Sequence, residues 1–308
     1  MVYKMIDIVN YRFKPNGFKS WKYPDGIGIS ILQKYPSTYS YFWLCIFDNQ
    51  IKITNNDKCA IFCKSSNVEW FCNNKIIQDR IGDGRVLVIA GGDTLLSKNI
   101  IHLKKIQDRY SRIYYEAKDV FDTKIRTMPM GMNCAYILRN GGHDKITKLV
   151  NDPSISKTKL VAAAWGSKWK FLDKTKYRKG LIRFCQNKDW LVRSNWAPTE
   201  YYEKLSEYKY FICATGAGIQ APKIFEALLT KTVPIVENIP AFVDLKSYGY
   251  PILIVNSWNE LNPEMLEETY KTNFENVDWN KVHYSLTNEG MYRMFLHEDV
   301  YPNLDILD

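Results

Sequence analysis

Between Tyr210 and Val236 the chain reads Tyr-Phe-Ile-Cys-Ala-Thr-Gly-Ala-Gly-Ile-Gln-Ala-Pro-Lys-Ile-Phe-Glu-Ala-Leu-Leu-Thr-Lys-Thr-Val-Pro-Ile-Val, an order that few folds accommodate. A buried strand runs into a loop with two glycines, a helix follows, and a second short strand returns. Glycines Gly216 and Gly218 let backbone amides approach a ligand closely, and the following helix opens with free N–H groups and the positive end of its dipole. A diphosphate fits such a place. Pro222 marks the first turn of the helix, and Lys223 in that turn puts a mobile cation where phosphate oxygens would lie. Glu226, one turn further on, can face the same ligand and accept hydrogen bonds from ribose hydroxyls.

The same alternation of short apolar runs and helical patterns continues through most of the chain, which argues for an α/β protein with largely parallel sheets. In the first half, 39–46, 68–72, 86–90, 112–115 and 124–128 read as strands, and 95–109 reads as a helix. The turn Pro129-Met130-Gly131-Met132-Asn133, followed by Gly141-Gly142, makes an interdomain hinge. Beyond it, strands are expected at 160–164, 210–213, 233–236 and 252–255, and helices at 174–185, 201–208 and 221–229. Asn262 before Pro263 reads as an N-cap and first helical position, and 279–297 as a last helix.

A length of 308 residues exceeds what one compact core usually reaches, so two lobes and a cleft between them are expected. With 46% hydrophobic and 24% charged residues the chain is not disordered. Its net charge of +9 favours anionic partners, yet no lysine and arginine run, RNA-binding signature or zinc-finger spacing marks a nucleic-acid module. The seven cysteines are odd in number and several lie in apolar runs, which points to free thiols in a reducing compartment such as the cytoplasm. Cys59 and Cys63 have no second pair, which argues against a metal site. The start of the chain lacks a signal-peptide core, and no run of about 20 apolar residues suggests a membrane helix.

The stretch around the glycine loop resembles the exostosin-like, family-47 glycosyltransferases. The likeness rests on Cys213, Gly216 and Gly218, Lys223, Glu226-Ala227-Leu228, Pro234-Ile235-Val236 and Pro251-Ile-Leu-Ile-Val255. It extends upstream to 159–165 and to Arg178, covering about 157–270, and covers the first half only loosely. Lys223 stands where many members carry Arg, so the charge is kept but the bidentate fork is lost. Animal exostosins carry a membrane anchor, and the chain looks closer to compact soluble members such as those encoded by large DNA viruses of algae.

The resemblance implies a GT-B fold of two Rossmann-like lobes: 1–135 for the acceptor, 136–275 for a nucleotide-sugar, and a helical segment, 276–308, returning to the first lobe. It implies inverting transfer from a UDP-sugar, with UDP-xylose the guess from soluble relatives, to a glycan hydroxyl. The donor-binding set would be Arg178, Gly216, Gly218, Lys223 and Glu226. No Asp-x-Asp motif occurs, so no metal is expected, and Arg178, Lys223 and the helix start would stabilise the leaving group. A base must come from the first lobe. Asp93, after the strand 86–90 and Gly91-Gly92, is the first choice, with room at the glycines for an acceptor sugar. An N-cap role for Asp93 competes, and His102, Asp48 and Asp25 are the other candidate bases. The alternatives to transfer are another nucleotide-sugar enzyme such as an epimerase, or a carbohydrate-binding or virion-associated protein without turnover.

Overall fold

The computed structural model describes residues 44–47, 50–53, 60–131, 149, 152, 155–164, 179–197, 199–216 and 218–286. Two parallel sheets carry the chain. The first is built from β1 (Leu44–Phe47), β2 (Gln50–Ile53), β3 (Ala60–Lys64), β4 (Arg85–Ala90), β5 (Tyr110–Tyr115) and β6 (Ile125–Thr127), in the order β2-β1-β3-β4-β5-β6. Only the β1–β2 pair is antiparallel. The second contains β7 (Lys159–Ala163), β8 (Leu191–Arg193), β9 (Tyr208–Ile212), β10 (Val233–Glu237) and β11 (Leu253–Val255), in the order β11-β10-β9-β7-β8 and parallel throughout. Each sheet with its helices makes one Rossmann-like lobe, so the two-lobed α/β layout expected from the sequence is present.

Parallel strands covered on both faces need unbroken apolar runs, and β4 shows why. Val86, Val88 and Ala90 point into one core, while Leu87 and Ile89 point into another on the opposite face. On that opposite face lie α1 (Val68–Asn73), α2 (Lys75–Ile81) and α3 (Leu96–Leu103). In the second sheet Phe211 and Cys213 share a core with Val86 and Val88, whereas Tyr210 and Ile212 face away from it. One face of each sheet therefore feeds a single apolar core, which α4 (Tyr201–Ser206), α5 (Pro222–Leu229) and α6 (Pro240–Ser247) complete.

Residues 68–72, expected to be a strand, are helical. Val68, Phe71 and Cys72 are buried and Glu69 is exposed, which is the i, i+3, i+4 spacing of a helix face beneath the aromatic and β-branched content. The expected helix 95–109 stops at Leu103, because Leu103 and Ile106 are both buried and the chain must turn to start β5 at Tyr110. Strands β2, β3 and β8 and helices α2 and α6 were not anticipated. Asn262 does cap α7 (Pro263–Asn273), accepting from Met265 N at 2.9 Å.

The C-terminal segment was expected on the first lobe. Its described helix, α8 (Trp279–Ser285), packs on α5 of the second, where His283 Nε2 meets the Leu228 carbonyl at 3.1 Å and Val282 and Leu286 enter the shared core. Residues 287–308 lie outside the described ones, as do 132–148, which hold part of the expected hinge.

The lobes are also tied by polar contacts. Asp244 on α6 accepts from Lys118 Nζ at 2.8 Å and from both Thr127 N and Thr127 Oγ1 at 2.7 Å, all on one carboxylate oxygen. Ala241 N donates to the Lys118 carbonyl and Tyr248 Oη to the Thr127 carbonyl. α6 thus lies across the end of β6 as a strut between the lobes.

Candidate functional site

In open α/β sheets, ligand groups gather at the C-terminal edge of the strands. From the first sheet, β4 leads at that edge into Gly91-Gly92-Asp93, and β4 is central, as its apolar sequence suggested. From the second sheet, β9 leads into Cys213 to Gly216 and then Gly218. The two loops meet: a Cβ built on Gly218 would stand 2.7 Å from Asp93 Oδ1. Asp93 is exposed and reaches across to the glycine loop. The N-cap role proposed for it is not realised. Leu95 occupies the N-cap position of α3 without a side-chain bond, and Asp119 holds the first turn through Ser97 N at 2.8 Å and Ser97 Oγ at 2.5 Å.

Two of the loop glycines lie close to side chains of other segments. A Cβ on Gly92 would stand 2.5 Å from the hydroxyl of Ser65, the residue after β3. Gly218 in turn leaves space for the Asp93 carboxylate. A side chain at either glycine would have to push the end of a neighbouring side chain aside.

α5 begins at Pro222 with Ala221 as N-cap, and no side chain caps its start among the described residues. Lys223 folds back toward the end of β7. Its Nζ donates to the Ala164 carbonyl at 2.6 Å and lies over the rings of Tyr201, 4.7 Å from the centroid, and Phe211, at 5.7 Å. The cation is therefore placed at the C-terminal edge of the second sheet, beside the glycine loop.

Glu226 was expected to face the ligand, and the structure buries it to 2% exposure. Burial raises its carboxyl above the usual range, against the pull of the Lys223 charge and of the hydroxyls of Tyr201 and Tyr202. Cys213 is buried beside them, and burial pushes its thiol up, so it is an inert packing group rather than a nucleophile. The buried free thiols Cys63, Cys72 and Cys185 are of the same kind.

Of the other candidates, His102 lies in the last turn of α3, its Nε2 3.9 Å from Glu69 Oε1 of α1, in the helical layer away from Asp93. Arg178, Asp48 and Asp25 lie outside the described residues. Among the described residues no group of three His, Cys, Asp or Glu side chains could hold a metal ion, and no helix is long and apolar enough to cross a membrane.

Two residues at this junction went unread in the sequence. Gln220, 3% exposed, donates from Nε2 to the carbonyls of Glu116 at 2.6 Å and Met128 at 2.8 Å, and accepts from Met130 N at 2.9 Å. Glu116, also 3% exposed, accepts from Gly91 N at 2.9 Å through Oε2. The signal for Glu116 was present, since a carboxylate directly after the apolar run 112–115 occupies the same strand edge as Asp93. Gln220 carried none, because its partners are some ninety to a hundred residues away in sequence.

No known family profile matches the sequence, and no curated protein is similar to it at a significant level. Several solved structures are similar in layout. A glycosyltransferase from Rickettsia africae is 14% identical with a TM-score of 0.38, covering 80% of this chain and 71% of that one. An α,α-trehalose-phosphate synthase (UDP-forming) from Burkholderia vietnamiensis is 9% identical with a TM-score of 0.34, covering 80% and 73%. Arabidopsis thaliana UGT89C1 complexed with quercetin is 9% identical with a TM-score of 0.27, covering 80% and 65%.

Proposed function

We propose that this chain is a glycosyltransferase that binds a nucleotide-sugar on its second lobe and passes the sugar to a hydroxyl of a glycan acceptor. The observation that carries this reading is the meeting of Asp93 with the Gly216–Gly218 loop across the lobes, beside an uncapped helix start and the Lys223 ammonium. An inverting displacement needs those parts: a base on one side of the sugar and positive potential on the other. Asp93 takes the proton of the acceptor hydroxyl as its oxygen bonds the anomeric carbon. The bond from that carbon to the diphosphate breaks, and the departing negative charge meets the helix start, Lys223 and, by the family resemblance, Arg178.

The same resemblance supports a UDP-sugar donor, with UDP-xylose the first to try, and membership of the exostosin-like family. The missing Asp-x-Asp motif supports a mechanism without a metal ion. Glu226 is one turn from the helix start but closed in by Tyr201, Tyr202 and Lys223. Its part in donor binding is therefore to orient Lys223, and a ribose contact requires this pocket to open.

Thermal-shift screening against UDP, GDP and dTDP and their sugars tests the reading, since a ligand at 100 times its Kd stabilises by about 2.7 kcal/mol. A selective shift with UDP, followed by slow release of UDP from a UDP-sugar, is the expected result. Absence of a shift with every nucleotide at millimolar concentration would overturn it, and binding without any turnover would favour a carbohydrate- or nucleotide-binding protein.

A further inference from the structure

We propose that Glu116 and Gln220 are positioning residues, a two-residue bridge that sets the separation of the Asp93 loop from the glycine loop. This rests on the reading of those loops as the two sides of one transfer site.

The bridge can be followed atom by atom. Gly91 N donates to Glu116 Oε2, which holds the loop that carries Asp93. The Glu116 carbonyl accepts from Gln220 Nε2, which belongs to the loop between Gly218 and Pro222. The second Nε2 proton goes to the Met128 carbonyl and Oε1 receives Met130 N, at the exit of β6. Only this orientation of the amide satisfies all three partners, because two are acceptors and one is a donor. Gln220 is buried, so opening the bridge would cost its amide three hydrogen bonds at once, and the loops are held in one register. The Asp93 carboxylate and Gly218 face each other at the end of that bridge.

The α6 strut explains why the bridge acts locally. Lys118, two residues after Glu116, is anchored to Asp244 and holds the lobes together whether or not Gln220 is intact. Loss of the Gln220 bonds therefore frees the glycine loop without separating the lobes.

The test is a cross-link read in the full chain. With Asp93→Cys and Gly218→Cys together, oxidised glutathione should form a disulfide between the two loops, followed by mass spectrometry. Adding Gln220→Met, which keeps the side-chain length and removes all three bonds, should slow closure about tenfold or more, whereas Glu116→Gln, which keeps an acceptor for Gly91 N, should change it by less than about threefold. If Gln220→Met does not fold, Gln220→Asn, one methylene short of its partners, replaces it. A cross-link that forms at the parental rate in a folded Gln220 variant, or that never forms in the parent pair, overturns the proposal. In otherwise wild-type protein, Gln220→Met should lower kcat for UDP-sugar breakdown while leaving UDP affinity within about twofold, since it shifts the register and not the donor contacts. If the cross-link behaves as expected and no nucleotide-sugar is turned over, the bridge stands and the transfer reading fails.

Discussion

Asp93 Oδ1 lies 2.7 Å from the point where a Cβ on Gly218 would stand, so the carboxylate of one lobe rests on the glycine loop of the other. The contact is made by the far end of an exposed side chain, which can swing away when a donor enters. Gly218→Ala would push the carboxylate aside at little cost to the fold, because nothing backbone-held obstructs the new methyl closely. The expected outcome is a change in stability below about 1 kcal/mol with a clear loss of transfer. Equal loss of stability and activity in denaturation and UDP-release assays would assign Gly218 a purely structural role.

Asp93→Asn keeps the shape and removes the basicity. It should cut kcat by about 10²–10⁴ while UDP affinity by calorimetry stays near wild type. Transfer within a few-fold of wild type would rule Asp93 out as the base.

Transfer should persist in EDTA, because the sequence offers no Asp-x-Asp motif for a diphosphate-bound metal. Chelation that abolishes turnover, with recovery on adding Mn²⁺ or Mg²⁺, would show that a metal serves the leaving group after all.

The Lys118–Asp244 pair is largely removed from solvent, with side-chain exposures of 4% and 19%, and Asp244 also holds Thr127. Asp244→Ala leaves the buried Lys118 ammonium with the Asp122 carbonyl but no counter-charge, and strands two Thr127 donors, which should cost about 3 kcal/mol in urea denaturation. A loss no larger than that of an exposed pair such as Lys124–Asp108 would mean that the strut contributes little.

His283 is fully buried, and desolvation, helped by the nearby Lys231 charge, lowers its pKa to about 4. The unfolded chain takes up a proton near pH 6.5 and the folded one only near 4, so the unfolded state binds more protons between these values. Stability should therefore fall as pH drops through that window, by roughly 3 kcal/mol in all. His283→Leu should flatten that part of the stability curve, and an unchanged slope would place the acid sensitivity elsewhere.

Much of this architecture was determined by the sequence alone, and the reason is local. Apolar runs such as 86–90 and 210–212 are strands because both faces need covering, Asn262 caps because its side chain reaches its own helix, and Pro222 opens a helix because its fixed φ suits the first turn. The position of Asp93 was legible too, since a residue that soon follows a central parallel strand stands at that strand's C-terminal edge. Tertiary structure alone decided what such groups face. Glu226 sits at the spacing of a ligand residue, yet packing of α4 beside α5 closes Tyr201 and Tyr202 over it. Gly92 reads as a glycine of a loop, and only the fold brings Ser65, just after β3, to within 2.5 Å of where its Cβ would stand. Gln220 carries no local pattern because its three partners, at Glu116, Met128 and Met130, are brought to it only when the lobes close on their shared core. Local preferences act over a few residues, whereas burial and long-range hydrogen bonds exist only once distant segments have packed.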